Sequence, residues 1–157
     1  MDKHSIEYRA TGIAEIELIR PLWVLLNEHH RRNAREFKDH YAEFSFDDRK
    51  AYFAGIAHTG LLRVDLAFDP ASQRYVGYCI ASLSNDLTGE IESIYIREKY
   101  RSQGIGTRLM DRAISWFKEE RSVRNQVAIA EGNEAAFQFY RKFGFYPRKT
   151  VLEQKRN

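Results

Sequence analysis

One short segment constrains this chain more than any other. An apolar strand pattern, Glu90 to Ile96, runs into Arg101-Ser102-Gln103-Gly104-Ile105-Gly106, and a strongly amphipathic pattern follows at once. Leu109, Met110, Ala113, Ile114 and Phe117 share one helical face, and Arg108, Asp111, Arg112 and Lys118 share the other. Strand, glycine turn and helix therefore succeed one another. Two glycines let the backbone turn tightly and approach a ligand closely. The first turn of the helix offers free N–H groups at the positive end of its dipole. A pyrophosphate suits such a place, and Arg101 either adds a charge-assisted contact or anchors the loop. Two other glycine motifs are excluded. A P-loop ends in Gly-Lys-Ser/Thr, whereas Thr107 and Arg108 follow Gly106, and Leu109 stands where a dinucleotide fingerprint needs its third glycine. The competing reading is a tight turn that binds nothing.

The rest of the chain supplies strands in runs between helices. Ile6, Tyr8 and Ala10 alternate with polar residues as a first strand. Ile16, Ile19, Leu22, Trp23 and Leu26 recur at helical spacing, with Pro21 either kinking that helix or marking its first turn. The charged stretch from His29 to His40 reads as an exposed connection between two helices. Asp47 to Ile56 is the second helix, starting near Ser45 or Phe46. Leu61 to Phe68 is a strand with Leu62, Val64, Leu66 and Phe68 on one face. Turn chemistry at Asp69–Ser72 and Asn85–Gly89 brackets a central strand from Tyr75 to Leu83. Gln126 to Ala130 is a short strand, Asn133 caps a helix running to about Lys142, Gly144 ends it, and Phe145 to Leu152 is a last strand. No repeat or linker divides residues 1–157, so a single domain of three-layer α/β or α+β type is expected.

Composition narrows the function classes. The 25 basic and 22 acidic residues leave a net charge of +3, with the two signs interleaved, which speaks against a nucleic-acid surface. The apolar run from Pro21 to Leu26 is too short to span a bilayer, and the first residues lack the apolar core of a signal peptide, so a cytoplasmic protein is expected. Cys79 is the single cysteine and sits among strand residues, the pattern of a core thiol. His29 and His30 are adjacent, which on a helix turns them about 100° apart and disfavours a shared metal.

Four segments together resemble the GNAT superfamily of acetyl-CoA-dependent N-acetyltransferases. They are Arg101-x-x-Gly104-x-Gly106; Asn133-Glu134-Ala135-Ala136-Phe137-Gln138-Phe139-Tyr140 followed by Lys142-Phe143-Gly144-Phe145; Gly77-Tyr78; and Ile91-Glu92-Ser93-Ile94-Tyr95-Ile96. The resemblance runs from about Tyr75 to Phe145 and is weak before Leu61. It implies a twisted, mostly antiparallel sheet flanked by helices, with Glu90–Ile96 and Gln126–Ala130 splaying into a V. It further implies that the pantetheine arm of acetyl-CoA lies along Ile94, Tyr95 and Ile96 like an added strand. Arg101 and the amides of Ser102, Gln103, Gly104, Ile105, Gly106 and Thr107 would hold the pyrophosphate, with Asn133, Ala136, Phe137 and Tyr140 also against the cofactor. An amine acceptor is implied, without metal, nucleic acid or membrane, and a homodimer is compatible with the resemblance.

The implied chemistry needs a base, an acid and an oxyanion donor, because an amine attacks a thioester only when neutral and the thiolate leaves best when protonated. By the resemblance Tyr140 is the acid; by the residues alone it is a core aromatic on an amphipathic helix. Glu90 and Glu92 are both candidates for the base. Two apart on a strand, they share a face with Ile94 and Ile96, and each can raise the other's pKa. The rival function is a non-catalytic module that keeps a CoA site.

Overall fold

The computed structural model describes residues 5–156. Strands adjacent in sequence are adjacent in space. The described residues form β1 (Glu7–Thr11), β2 (Leu61–Asp69), β3 (Arg74–Leu83), β4 (Thr88–Ile96) and β5 (Arg124–Val127), in the order 1-2-3-4-5. The first four pair antiparallel, and β5 joins β4 in parallel. A parallel neighbour requires a crossover, supplied by α4 (Ile105–Glu119). The sheet is thus mostly antiparallel, as the family resemblance implies.

β3 is mostly apolar from Val76 to Leu83 because both its faces are covered. On one side Cys79, Ala81 and Leu83 pack with Leu109, Met110, Ala113 and Phe117 of α4 and with Tyr140 of α5 (Ala136–Arg141). On the other, Tyr78 and Ile80 pack with Leu22 and Trp23 of α1 (Arg20–Asn33) and Phe53 of α3 (Phe46–Thr59). Pro21 marks the first turn of α1, after a 3-10 segment from Ile13 to Ile19. α3 opens on a reciprocal capping box between Ser45 and Asp48, which satisfies two amides that the helix leaves free.

Several local expectations are corrected. The stretch from His29 to His40 is no simple connection: α1 continues to Asn33 and α2 spans Lys38–Glu43. Arg35 ties it to Glu131 and Glu134 after β5, a pairing of distant charges that no local pattern announces. Asn133 does not cap; α5 begins only after Ala135. Phe145–Leu152 forms no strand, and Val151 and Leu152 are 80% and 91% exposed. A strand needs a ladder partner, and none of the described residues offers one there.

Arg112, expected in solvent, instead reaches Asp65 on β2. Asp65 is 1% exposed and accepts from Arg112 Nε at 2.8 Å and from Arg63 at 2.8 and 3.1 Å. Asp65→Ala is expected to destabilise the fold by about 2 kcal/mol or more, read as a lowered urea midpoint at unchanged slope. That is less than for a fully buried pair, because the arginine side chains, 24% and 26% exposed, can turn toward water.

Candidate active site

The ladder between β3 and β4 slips by one residue. Ala81 faces Ile91 and Ile80 faces Ser93, so Glu92 has no partner. Such a bulge interrupts the strand's alternation. Ile91 lies on the α4 side before it, and Ile94 and Ile96 lie on that side after it. Tyr95 joins the opposite core, and Ser93 Oγ shares a 2.7 Å hydrogen bond with Tyr78 Oη of that core. The single face carrying Glu90, Glu92, Ile94 and Ile96 is therefore corrected. The carboxylates face the α1–α3 side, and the two isoleucines face α4.

Glu92 is held at both oxygens. Ser82 Oγ donates to Oε1 at 2.7 Å and Tyr52 Oη to Oε2 at 3.2 Å. Arg49 Nη2 donates to the Glu92 carbonyl at 2.9 Å, its guanidinium lying over the Tyr52 and Phe53 rings at 4.7 and 4.6 Å. Glu90 is half-buried. Burial, and then the charge of Glu92, push its carboxyl above the usual carboxylate range, against a hydrogen bond from Gln126 and the charge of Arg49.

Pairing between β4 and β5 ends at Ile91 and Val127, and the two strands then part. Glu92–Ile94 and Ala128–Ala130 line a cleft of about 430 Å3, together with His30, Tyr41, Glu90, Asn133 and Tyr140. A second cleft of about 540 Å3, lined by Ser82–Asp86, Arg124 and Gln126, shares Tyr52, Glu90 and Glu92 with the first. The carboxylate pair stands where the two meet. Tyr140 comes from the α5 side, 7% exposed and edge-on to Phe139 and Phe145 at 5.2 and 6.2 Å. Burial raises its pKa and keeps the proton on the phenol. Ala136 packs against the same core, while the Asn133 carbonyl accepts from the Ala136 amide at 3.0 Å.

The glycine turn sits beyond the end of β4. Arg101 Nε donates to the Ile96 carbonyl at 3.0 Å, and its guanidinium lies 5.3 Å from the Tyr95 ring centre, so Arg101 anchors the loop. Ser102 and Gly104 have φ of 62° and 83°, the left-handed region in which glycine is unstrained. At Gly106 a Cβ would lie 3.3 Å from both Ile96 Cδ1 and Phe139 Cε2, so glycine lets β4, α4 and α5 converge. Ser102, Gln103 and Gly104 are exposed, and none of their amides donates to a backbone carbonyl among the described residues. Free amides at the head of a 15-residue helix fit a pyrophosphate.

Residues 22–145 match the acetyltransferase (GNAT) family. The chain belongs to this family. Over 72 residues it is 28% identical to an uncharacterized N-acetyltransferase of Methanocaldococcus jannaschii, a stretch that is 46% of this chain and 32% of that relative. The match thus spans about a third of that relative's length. Its fold is similar to a GNAT-family acetyltransferase of Staphylococcus aureus Mu50, at TM-score 0.72 and 18% identity over 92% of this chain and 87% of that one. It is also similar to an aminoglycoside N-acetyltransferase solved with CoA, at TM-score 0.69 and 16% identity over 97% and 95%.

Within this GNAT fold, the side chains that frame the carboxylates escaped sequence reasoning. Arg49 and Tyr52 sit on α3, Ser82 on β3 and His30 on α1, and only the packing of α1 and α3 over the sheet brings them to β4. Ser82 had a faint signal as a hydroxyl closing an apolar strand. Cys79 is buried beside Asp65, and burial pushes its thiol up, away from the reactive thiolate. No helix among the described residues is long and apolar enough to cross a membrane.

Proposed function

We propose that this chain transfers the acetyl group of acetyl-CoA to a primary amine by direct attack where the two clefts meet. The observation that carries this reading is the convergence of Glu90, Glu92 and Tyr140 on one cleft that opens between β4 and β5. Acetyl-CoA supplies the acyl carbon, activated as a thioester. The amides of Ser102 to Thr107 bind its pyrophosphate, Arg101 braces that loop, and Ile94, Tyr95 and Ile96 give the strand edge for its pantetheine arm. Asn133, Ala136 and Phe137 form the opposite wall. Glu90 receives the proton of the attacking amine, since Glu92 already holds two donors and serves to position the pair. As the N–C bond forms and the C–S bond breaks, Tyr140 gives its proton to sulfur.

Binding is the first test. At about 100-fold excess over Kd, acetyl-CoA should stabilise the native state by about 2.7 kcal/mol and raise the Tm. Gly104→Glu is expected to abolish that shift by setting a carboxylate against the pyrophosphate. Ser102→Glu does the same without replacing a glycine, and each variant is compared with its own ligand-free Tm. An unchanged Tm in the folded wild type would falsify the reading. Binding without thiol release from any amine would leave a CoA-binding module.

A further inference from the structure

The glycine turn contains one residue in a conformation its side chain disfavours. Ser102 has φ of 62°, in the left-handed region, and it is not a glycine. A residue with a Cβ stays there only where its surroundings force it to. Two anchors precede it. Arg97 donates from its amide to the Val76 carbonyl at 2.8 Å and from Nε to the Tyr75 carbonyl at 3.1 Å. Tyr100 ends the short 3-10 turn Glu98–Tyr100, and its Oη donates to Asp69 Oδ2 at 2.6 Å. Asp69 is buried at the end of β2, and its Oδ1 accepts from the Ala71 amide at 2.9 Å. The bond from Tyr100 is the largest of the causes that hold the Asp69 carboxyl below the usual carboxylate range. The acceptor is therefore ionised near neutral pH, which makes this a strong hydrogen bond. Neither Tyr100 nor Asp69 lines either cleft, so the pair has no part in the chemistry described above.

We infer that Tyr100 is a positioning residue for the acyl donor: through its bond to Asp69 it holds the left-handed turn at Ser102, and so aims the free amides of Ser102, Gln103 and Gly104 at the pyrophosphate. This rests on the cofactor site proposed above and names what sets its geometry. Arg101 ties the loop to the end of β4 through the Ile96 carbonyl. Tyr100, the residue before it, ties the same loop to the end of β2. A turn pinned at one point can swing about it, and a turn pinned to two separate strands cannot. Amides already in place bind without an ordering cost, whereas a loosened turn must be ordered by the ligand. The effect of Tyr100 is therefore on donor affinity and leaves proton transfer untouched.

Calorimetric titration with acetyl-CoA tests this on the wild type, Tyr100→Phe, Asp69→Asn and the double variant, each with its ligand-free Tm. Tyr100→Phe keeps the ring and removes the hydroxyl. It should raise the acetyl-CoA Kd by roughly tenfold, the scale of one hydrogen bond to a charged group. Asp69→Asn keeps a neutral acceptor and should raise it less. The double variant should bind no more weakly than Tyr100→Phe, because both changes act through one bond. Ser102→Gly takes up the left-handed turn without strain and should recover part of the affinity that Tyr100→Phe loses. A lowered ligand-free Tm with a wild-type Kd makes the bond purely structural and overturns the inference. So do losses that multiply in the double variant, and so does a Tyr100→Phe defect that Ser102→Gly leaves whole. A folded wild type that does not bind acetyl-CoA removes the cofactor site itself and the inference with it.

Discussion

Tyr140→Phe is expected to lower turnover about hundredfold while leaving acetyl-CoA affinity nearly unchanged, the usual scale for losing a general acid. The substitution removes one hydroxyl from a side chain that is 7% exposed and keeps the edge-on ring contacts with Phe139 and Phe145. Its Tm should therefore stay close to that of the wild type. The direction of the pKa shift matters for the mechanism. Burial holds the phenol protonated, so the proton is present when the thiolate departs. An acyl donor with a less basic leaving group needs less help, and its rate should fall less. A purely packing role predicts intact chemistry with at most a small change in stability. Single-turnover measurements that isolate the chemical step decide between the two. Wild-type turnover in that step removes Tyr140 from the acid role.

Glu90→Gln is expected to lower kcat/KM by about a hundredfold near neutral pH and to change the shape of its pH profile. The folded carboxyl titrates above the ordinary carboxylate range because it is half-buried beside Glu92. In the wild type the rate should climb with pH as Glu90 ionises, along a limb displaced upward from that of a free glutamate. The glutamine variant lacks this limb. Its rate should rise only as the amine loses its proton in solution, so the defect shrinks at high pH. Stability runs the other way. A carboxyl whose folded pKa is raised favours the native state when protonated, and that contribution is lost as pH rises through the folded pKa. Glu90→Gln removes this titration, so its stability should lack the loss with rising pH that the raised carboxyl gives the wild type. Glu92→Gln, in contrast, weakens the acceptor for Ser82 and Tyr52 and should cost activity through misplacement, without removing the acid limb. If Glu90→Gln keeps the wild-type profile, the proton goes elsewhere.

The architecture was legible to the extent that it depends on local pattern. Alternation marked β2, a mostly apolar run bracketed by turn residues marked β3, the apolar stripe of Leu109, Met110, Ala113 and Phe117 marked α4, and Gly104 with Gly106 marked a tight turn at its head. These are decided within a few residues by sterics and by which side chains must leave water. Where the expected pattern failed, a distant partner was responsible. Arg112 turns inward because Asp65 on another element waits there, and Phe145–Leu152 stays outside the sheet because no described strand receives it.

The amino-acid sequence by itself determined the candidate chemical groups: two carboxylates on one strand, a tyrosine after Asn133, and a glycine turn before a helix. Only the tertiary structure decided how they meet. The unpaired residue in the β3–β4 ladder breaks the strand's period of two, turning the carboxylates toward α3 and the following isoleucines toward α4. The parting of β4 from β5 after four paired residues opens the cleft that brings Glu90 and Tyr140 to a common space. Trp23 meets Phe44 and His30 meets Tyr41 across two elements, contacts that the spacing within either helix does not record. A bulge, a splay and contacts between helices arise from pairing and burial between separate segments, and periodicity within one segment carries no record of its partners.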